Sequence, residues 1–161
     1  MIRKATVRDV KAIQRLLKKY ADRGELLPRS LSDLYDGLRD FIIYEEKIGG
    51  PIIGVCALHV CWEDLAEIRS LAVDEQHQGR GIGSELVAEA MAEIHKLGIS
   101  RVFTLTYRPD FFARHGFHIV DKASLPHKIW AECVKCVKFP DCDEIAMLRL
   151  LDRNSGGKED R

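Results

Sequence analysis

Residues 66–97 read Ala-Glu-Ile-Arg-Ser-Leu-Ala-Val-Asp-Glu-Gln-His-Gln-Gly-Arg-Gly-Ile-Gly-Ser-Glu-Leu-Val-Ala-Glu-Ala-Met-Ala-Glu-Ile-His-Lys-Leu. The apolar residues at the start of this stretch predict a short strand over residues 68–73. Apolar residues three and four positions apart predict a helix over residues 84–97. A glycine-rich turn, residues 78–83, connects the two predicted elements.

This turn has the composition of an anion site at a helix N-terminus. The first N–H groups of a helix have no intrahelical partner and carry partial positive charge. Glycines allow a phosphate to approach the backbone closely, and Arg80 adds a full positive charge. The order Gln-x-x-Gly-x-Gly matches neither the P-loop nor the dinucleotide pattern. The alternative is a strand–helix connection whose glycines only make a tight turn.

The remaining chain predicts strands and helices in a mixed order. Two strands, residues 41–46 and 52–61, flank a glycine turn and indicate a hairpin. The other predicted strands are residues 2–5, 101–106, 117–120 and 145–150. The other predicted helices are residues 9–24, 31–39 and 109–114, with a helical turn at 126–133. This order favours an α+β domain with one central sheet over residues 1–151, followed by a disordered polar tail, residues 152–161.

Composition excludes several classes of function. The 161 residues carry 25 basic and 25 acidic side chains, which argues against a nucleic-acid surface. We find no apolar run of transmembrane length and no signal-peptide core at the N-terminus, so no membrane partner is expected and a cytoplasmic location is favoured. The five cysteines are expected to be thiols rather than disulfides.

The glycine turn, placed after Leu-Ala-Val, resembles motif A of the GNAT acetyltransferase superfamily. The resemblance implies the GNAT fold, a mixed central sheet flanked by helices, with acetyl-CoA as cosubstrate. It implies that the pyrophosphate binds at Gln78, Gly79, Arg80, Gly81, Ile82, Gly83 and Ser84. It also implies that the pantetheine arm pairs with the backbone of Leu71, Ala72 and Val73, and that the Val73 N–H donates to the oxyanion.

Glu67 precedes Gln78 by eleven residues, a separation at which histone-type GNAT enzymes carry a general base. A carboxylate there can take the amine proton directly or through water. The alternative is a solvated glutamate at the edge of the site. The tyrosine that many GNAT enzymes use to protonate the thiolate is replaced by Phe112, which cannot donate a proton. Tyr107 is close in sequence, with an unknown direction.

Several segments are similar to the acetyltransferase domain of N-acetylglutamate synthases. They are residues 24–30, 41–43, 105–108, Phe112 with Gly116-Phe117, and Leu125-Pro126-x-Lys128. This resemblance implies acetylation of the α-amine of L-glutamate, the first step of arginine biosynthesis. Glutamate has two carboxylates, and arginine binds a carboxylate with two parallel hydrogen bonds. The candidates for this role are Arg29, Arg69 and Arg108, with Lys128 as a further cationic candidate.

Other functions stay open. The chain could acetylate another amino acid, a small amine or a protein N-terminus, or it could sense acyl-CoA without turnover. GNAT domains often form dimers, so a homodimer is compatible with the resemblance. Cys133, Cys136 and Cys142 form part of a zinc pattern, and the fourth ligand, His127, His118 or Asp141, is unassigned. We therefore expect no required metal and keep structural zinc, or an interaction module around this cysteine loop, as alternatives.

Overall fold

The computed structural model describes residues 1–126 and 143–151. In these residues seven strands form one sheet in the order β1-β2-β3-β4-β5-β7-β6. The strands are β1 (Ile2–Lys4), β2 (Phe41–Glu45), β3 (Ile52–Trp62), β4 (Leu65–Val73), β5 (Arg101–Thr106), β6 (His118–Ile119) and β7 (Ile145–Leu150). The helices are α1 (Val10–Ala21), α2 (Leu31–Asp36), α3 (Ile82–Lys96) and α4 (Pro109–Ala113). The predicted α+β order is confirmed.

The sheet is mixed. β2 pairs antiparallel with both β1 and β3, which confirms the predicted hairpin. β4 and β5 run parallel, as the α3 crossover between them requires. β7 is antiparallel to β5 and to β6. β5 therefore has a parallel neighbour, β4, and an antiparallel neighbour, β7.

The chain contains two compact units, and the first comprises residues 1–59 and 68–92. Its core forms where the apolar face of α1 meets apolar residues of the hairpin strands. Buried members include Val10, Ile13, Leu17, Leu34, Ile43, Val55 and Ala72. The periodic apolar residues of α1 thus determine which face of the helix is buried.

The second unit comprises residues 60–67 and, among those described, 93–126 and 143–151. Phe103 of β5 is completely buried at the centre of its apolar cluster. Leu65, Cys61, Leu125 and Ala146 pack in the same cluster. This core thus combines side chains of β3, β4, β5 and β7 with Leu125.

Several element boundaries differ from the sequence-based expectation for local reasons. α2 ends at Asp36, because Gly37 leaves the helical conformation with φ of −97° and ψ of 18°, and a 3-10 turn, Leu38–Asp40, follows. α1 ends at Ala21, whereas Gly24 lies beyond it with φ of 74°. α3 begins at Ile82, two residues before the predicted start. The predicted helical turn at 126–133 and the predicted tail at 152–161 lie outside the described residues, apart from Pro126.

A charged cluster connects β1, the start of α1 and β2. The Arg3 guanidinium donates to both carboxylate oxygens of Asp9 at 2.8 and 2.9 Å. Its Nε donates to Glu45 at 3.1 Å. Asp9 and Glu45 are both buried. Two buried carboxylates thus depend on one arginine, and such groups are costly to leave unpaired.

We expect this cluster to make stability pH-dependent at acid pH. The hydrogen bonds from Arg3, aided by the Thr6 N–H, lower the pKa of Asp9 to about 2. A lowered carboxyl pKa contributes stability above its unfolded value, and this contribution is lost as the pH falls through about 2. Urea denaturation should show that Asp9→Asn costs about 1–3 kcal/mol at neutral pH and less at pH 2.5. Asp22→Asn, in the exposed pair with Lys18, is the control. An equal cost for Asp9→Asn at both pH values would contradict this assignment.

Candidate functional site

The loop between β4 and α3 contains the predicted glycine turn. A 3-10 turn, Glu75–His77, comes first, and the Asp74 carboxylate caps it by accepting from the Gln76 N–H at 3.1 Å. Gly79 and Gly81 follow, each with φ of 80°. No atom lies within 4 Å of a Cβ built at either glycine. Glycine is therefore required there by backbone conformation, and the space beside the turn is open.

The N-terminus of α3 follows this turn directly. The helix has 15 residues, and its ladder opens with the Glu85 N–H donating to the Gly81 carbonyl at 3.0 Å. The amides of the first turn precede that bond and are not used by the ladder. Their dipoles and N–H groups favour an anion at this end of the helix. Ile82 and Gly83, predicted as the end of the turn, form the start of the helix instead.

Gly54 of β3 allows α3 to begin close to the strand. A Cβ at Gly54 would lie 3.0 Å from Ile82 Cγ2 and 3.0 Å from Leu86 Cδ1. Those two side chains belong to the first turns of α3, and both are buried. A methyl group at residue 54 would therefore displace the first turn of α3.

We accordingly expect Gly54→Ala to weaken binding at the helix N-terminus. Overpacking of this kind costs about 1–3 kcal/mol, so thermal stability should fall and CoA affinity should drop several-fold. Melting temperature and calorimetric titration with CoA measure the two effects. Gly37→Ala is a matched control, because a Cβ there meets its nearest atom at 3.4 Å. Unchanged CoA affinity in Gly54→Ala would show that this contact does not position the loop.

Arg80 pairs with the exposed carboxylate of Glu46. Its guanidinium nitrogens lie 3.3 and 3.4 Å from Glu46 Oε1. His77 Nε2 lies 3.7 Å from the other oxygen of Glu46. The Arg80 and Glu46 side chains are about half exposed, and exposed ion pairs are weak. The guanidinium can thus exchange this carboxylate for a phosphate at little cost.

The last part of β4 departs from regular strand geometry. Ser70 has φ of 54°, although it is not glycine. Such a conformation is uncommon for residues other than glycine and costs free energy, and strained residues of this kind cluster at functional sites. Leu71, Ala72 and Val73 follow, and the Ala72 side chain is buried. The Ala72 side chain belongs to the core, and the backbone of this segment is the part of the strand that could bind a ligand.

The peptide between Val73 and Asp74 is held from both sides. The Asp74 N–H donates to the Ile53 carbonyl at 2.8 Å. The Val73 carbonyl accepts from the Tyr20 hydroxyl and from Gln78 Nε2, the latter at 3.3 Å. Gln78 Nε2 also lies 2.6 Å from the Tyr20 hydroxyl oxygen. Tyr20 lies within the helix predicted over residues 9–24, and no local pattern in the sequence indicates the partners of its hydroxyl.

The predicted catalytic and substrate residues lie on three segments. Glu67 is half-buried on β4, in register with Phe103 of β5, and Arg69 lies two residues further along. Arg29 is half-buried just before α2. Arg108 is exposed before α4, and its N–H donates to Thr106 Oγ1 at 2.8 Å. Lys128 lies outside the described residues. The structure thus brings Gln78 to Val73 and puts Glu67 and Arg69 on one strand.

Two aromatic residues near α4 have distinct roles. Phe112 is buried, and its ring packs edge-on against Phe111 and Phe117 with centroids 5.1 and 5.4 Å away. The Tyr107 hydroxyl lies 2.5 Å from Asp143 Oδ1. Phe112 is therefore a packing residue, and the hydroxyl of Tyr107 is directed at a carboxylate.

Among the described residues, the histidines and cysteines do not form a cluster that could hold a metal ion. Cys56 and Cys61 are buried thiols, and burial raises the pKa of Cys56 to about 12. His95 is exposed, whereas His77 and His115 are only partly so. Across residues 1–126 and 143–151, no group of three or more His, Cys, Asp or Glu residues could hold a metal ion. Cys133, Cys136, Cys142, His127 and Asp141 lie outside that part of the chain.

Nothing among the described helices has the length and apolar character needed to cross a membrane. The longest described helix, α3, has 15 residues and carries charged side chains near its last turn.

Comparison with known proteins agrees with this geometry. Residues 37–119 match the family model of the acetyltransferase (GNAT) domain. An uncharacterized N-acetyltransferase of Chlorobaculum tepidum is 41% identical over 93% of this chain and 96% of its own length. An amino-acid acetyltransferase of Mycobacterium tuberculosis is 38% identical over 82% of this chain and 76% of its own.

A solved structure is also similar. It is the N-acetylglutamate synthase of Neisseria gonorrhoeae, complexed with coenzyme A and N-acetyl-glutamate. The two chains are 29% identical with a TM-score of 0.86, over 94% of this chain and 35% of that one. The fold predicted from sequence is therefore that of the matched family. The chain belongs to the GNAT family of acetyltransferases.

Proposed function

We propose that this protein transfers the acetyl group of acetyl-CoA to the α-amine of an amino acid, with L-glutamate as the substrate. The proposal that acetyl-CoA is the cosubstrate rests on the turn with Gly79 and Gly81 at positive φ, directly before the N-terminus of α3. The amino acid is supported by relatives named amino-acid acetyltransferase and by the similar synthase complexed with N-acetyl-glutamate. A place in arginine biosynthesis follows if glutamate is the substrate.

The turn fits the pyrophosphate of acetyl-CoA. Residues 78–84 offer backbone amides, the positive end of a helix dipole and the Arg80 guanidinium beside open space. On β4, the backbone of Leu71, Ala72 and Val73 is the proposed partner of the pantetheine arm. Acetyl-CoA supplies an acetyl thioester, whose acyl group is transferred directly to the amine in a ternary complex.

Two groups of β4 are proposed for the chemistry. Glu67 acts as the general base, taking a proton from the ammonium directly or through water. The Val73 N–H donates to the acetyl oxygen, where negative charge develops. The neighbouring peptide, Val73–Asp74, is fixed to β3 by the Asp74 N–H, which donates to the Ile53 carbonyl at 2.8 Å. A donor next to a rigid peptide is preorganised for this role.

Cationic side chains are proposed to select the amino acid. Glutamate carries two carboxylates, and a guanidinium binds a carboxylate with two parallel hydrogen bonds. Arg29, Arg69 and Arg108 are the candidates among described residues, with Lys128 as a fourth. At least two of the four are needed if both carboxylates are gripped.

A second candidate function is an acyl-CoA sensor. The favouring observation is that Phe112, buried between Phe111 and Phe117, occupies the position from which many GNAT tyrosines protonate the thiolate. Tyr107 has its hydroxyl directed at Asp143. A sensor would bind acetyl-CoA without releasing thiol in the presence of any amine.

Release of CoA thiol tests the proposal. The rate should rise with L-glutamate and stay near background with two analogues, norvaline, which lacks the γ-carboxylate, and 4-aminobutyrate, which lacks the α-carboxylate. Each missing carboxylate should cost about 10- to 100-fold in kcat/KM, the value of a charged hydrogen bond. Equal rates with glutamate and norvaline would refute the two-carboxylate clamp. No thiol release with any of the twenty amino acids, while CoA still binds, would favour the sensor.

A further inference from the structure

Tyr20, near the C-terminal end of α1, contacts the two elements on which the proposed cosubstrate site depends. Its hydroxyl donates to the Val73 carbonyl, where β4 ends. It also accepts from Gln78 Nε2 at 2.6 Å, where the glycine turn begins. Gln78 Nε2 lies 3.3 Å from the same Val73 carbonyl, so the three groups form a closed hydrogen-bonded triangle. We call Tyr20, Val73 and Gln78 the brace.

The Tyr20 hydroxyl is used fully within the brace. One phenol oxygen acts as donor to the Val73 carbonyl and as acceptor from Gln78. The residue is buried, and desolvation is the main cause that raises its pKa above the usual value. The phenol therefore stays protonated at neutral pH and keeps its donor. A phenylalanine would retain the packing and lose both hydrogen bonds.

The brace closes the loop just before the part proposed to bind phosphate. The chain leaves β4 at Val73, passes through the 3-10 turn Glu75–His77 and returns to Val73 at Gln78. Gly79 and Gly81 follow with positive φ, and α3 begins at Ile82. Two open glycines are conformationally free in the unfolded chain, so their position depends on what precedes and follows them.

The end of α1 holds this loop at a second point. Arg23 pairs with Glu75 of the 3-10 turn. Its guanidinium carbon also lies 5.8 Å from the centre of the Tyr20 ring. The Arg23–Glu75 pair is about half exposed and is weak by itself. The two hydrogen bonds of Tyr20, a buried residue, are thus the stronger of the two attachments.

We propose that Tyr20 is a positioning residue for the glycine turn: through Gln78 and Val73 it holds the turn in the conformation that receives the pyrophosphate of CoA. This inference rests on the proposed cosubstrate site and assigns no role to Tyr20 in the chemistry. It predicts that the loss of the hydroxyl acts on the pyrophosphate part of the ligand, and leaves a thioester without that part unaffected.

Tyr20→Phe tests this with two thioesters. Calorimetry should show CoA binding weakened about 3- to 10-fold, the value of one net hydrogen bond, and KM for acetyl-CoA should rise similarly with kcat nearly unchanged. With acetyl-pantetheine, which lacks the pyrophosphate, kcat/KM should stay within about twofold of the native value. Tyr35→Phe removes an exposed hydroxyl on α2 and is the matched control.

Gln78→Ala gives an independent readout at an exposed position, should Tyr20→Phe fold poorly. It should weaken CoA binding to a similar extent. The double variant should bind CoA about as weakly as the weaker single variant, because both substitutions break one network. Additive losses, equal losses with both thioesters, or unchanged CoA affinity would overturn the proposal. Calorimetry with CoA needs no amine, so Tyr20 is tested even if glutamate is not acetylated.

Discussion

Glu67→Gln is expected to lower kcat about 10²- to 10⁴-fold, the usual contribution of a positioned general base. Glutamine has nearly the same shape and cannot accept the proton. Because the side chain is half-buried on β4 rather than in the glycine turn, the affinity for CoA should be unchanged. The deficit should shrink as the pH rises toward the pKa of the amine, since the substrate then loses its proton without help. Initial rates across pH and CoA calorimetry measure both effects.

The control for Glu67→Gln is Glu63→Gln, an exposed glutamate just before β4. Its kcat should match the native value within about twofold, as expected for a surface substitution. If Glu67→Gln keeps native turnover, Glu67 is not the base and a water chain or another side chain must take the proton. A pH-independent deficit would instead indicate a structural role for the carboxylate.

Arg108→Leu is expected to raise KM for glutamate about 10- to 100-fold, because a charged hydrogen bond to the substrate is lost. KM for acetyl-CoA should be unchanged. Arg108 is exposed at the start of α4, so the substitution removes no core packing. Arg108→Lys keeps the charge but not the bidentate geometry, and an intermediate KM is expected.

Arg114→Leu is the matched control for this substitution. Arg114 is an exposed arginine at the end of the same helix, with its guanidinium carbon 6.0 Å from the centre of the Phe111 ring. Arg114→Leu should leave KM for glutamate within about twofold of the native value, as expected for a surface substitution. If Arg108→Leu keeps the native KM for glutamate, Arg108 does not bind a substrate carboxylate. Arg29, Arg69 and Lys128 then remain as the candidates. Parallel losses for glutamate and norvaline would exclude recognition of the γ-carboxylate by Arg108.

The parts of the fold that follow from local patterning were predictable from sequence. β5 and β7 have the predicted bounds, residues 101–106 and 145–150, because each is an apolar-rich run between breaking residues. The glycine turn was also predictable, since Gly79 and Gly81 adopt the positive φ that only glycine takes readily. The sequence predicts that α3 begins at residue 84, because Gly83 is typical of a turn. The helix begins two residues earlier, at Ile82, since a first helical turn tolerates glycine.

Other features depend on contacts that leave no local pattern. Ser70 adopts φ of 54°, and serine has no strong preference for that region. Tyr20 bonds to a backbone carbonyl 53 residues away, and a carbonyl acceptor is common to every residue type. The pair of Arg80 with Glu46 likewise joins residues 34 positions apart. Such features form only in the folded chain. The contacts of Tyr20 and Arg80 both adjoin the proposed cosubstrate site.

The most direct measurement is a competition. Acetyl-CoA and an equimolar mixture of the twenty amino acids are incubated with the protein, and mass spectrometry identifies which acetylated product forms first. Relative yields at early times equal the ratios of kcat/KM. We predict that N-acetylglutamate dominates, with N-acetylglutamine the nearest competitor. Acetylation of a different amino acid would contradict the glutamate assignment, and a mixture without any acetylated product would contradict amino-acid acetylation itself.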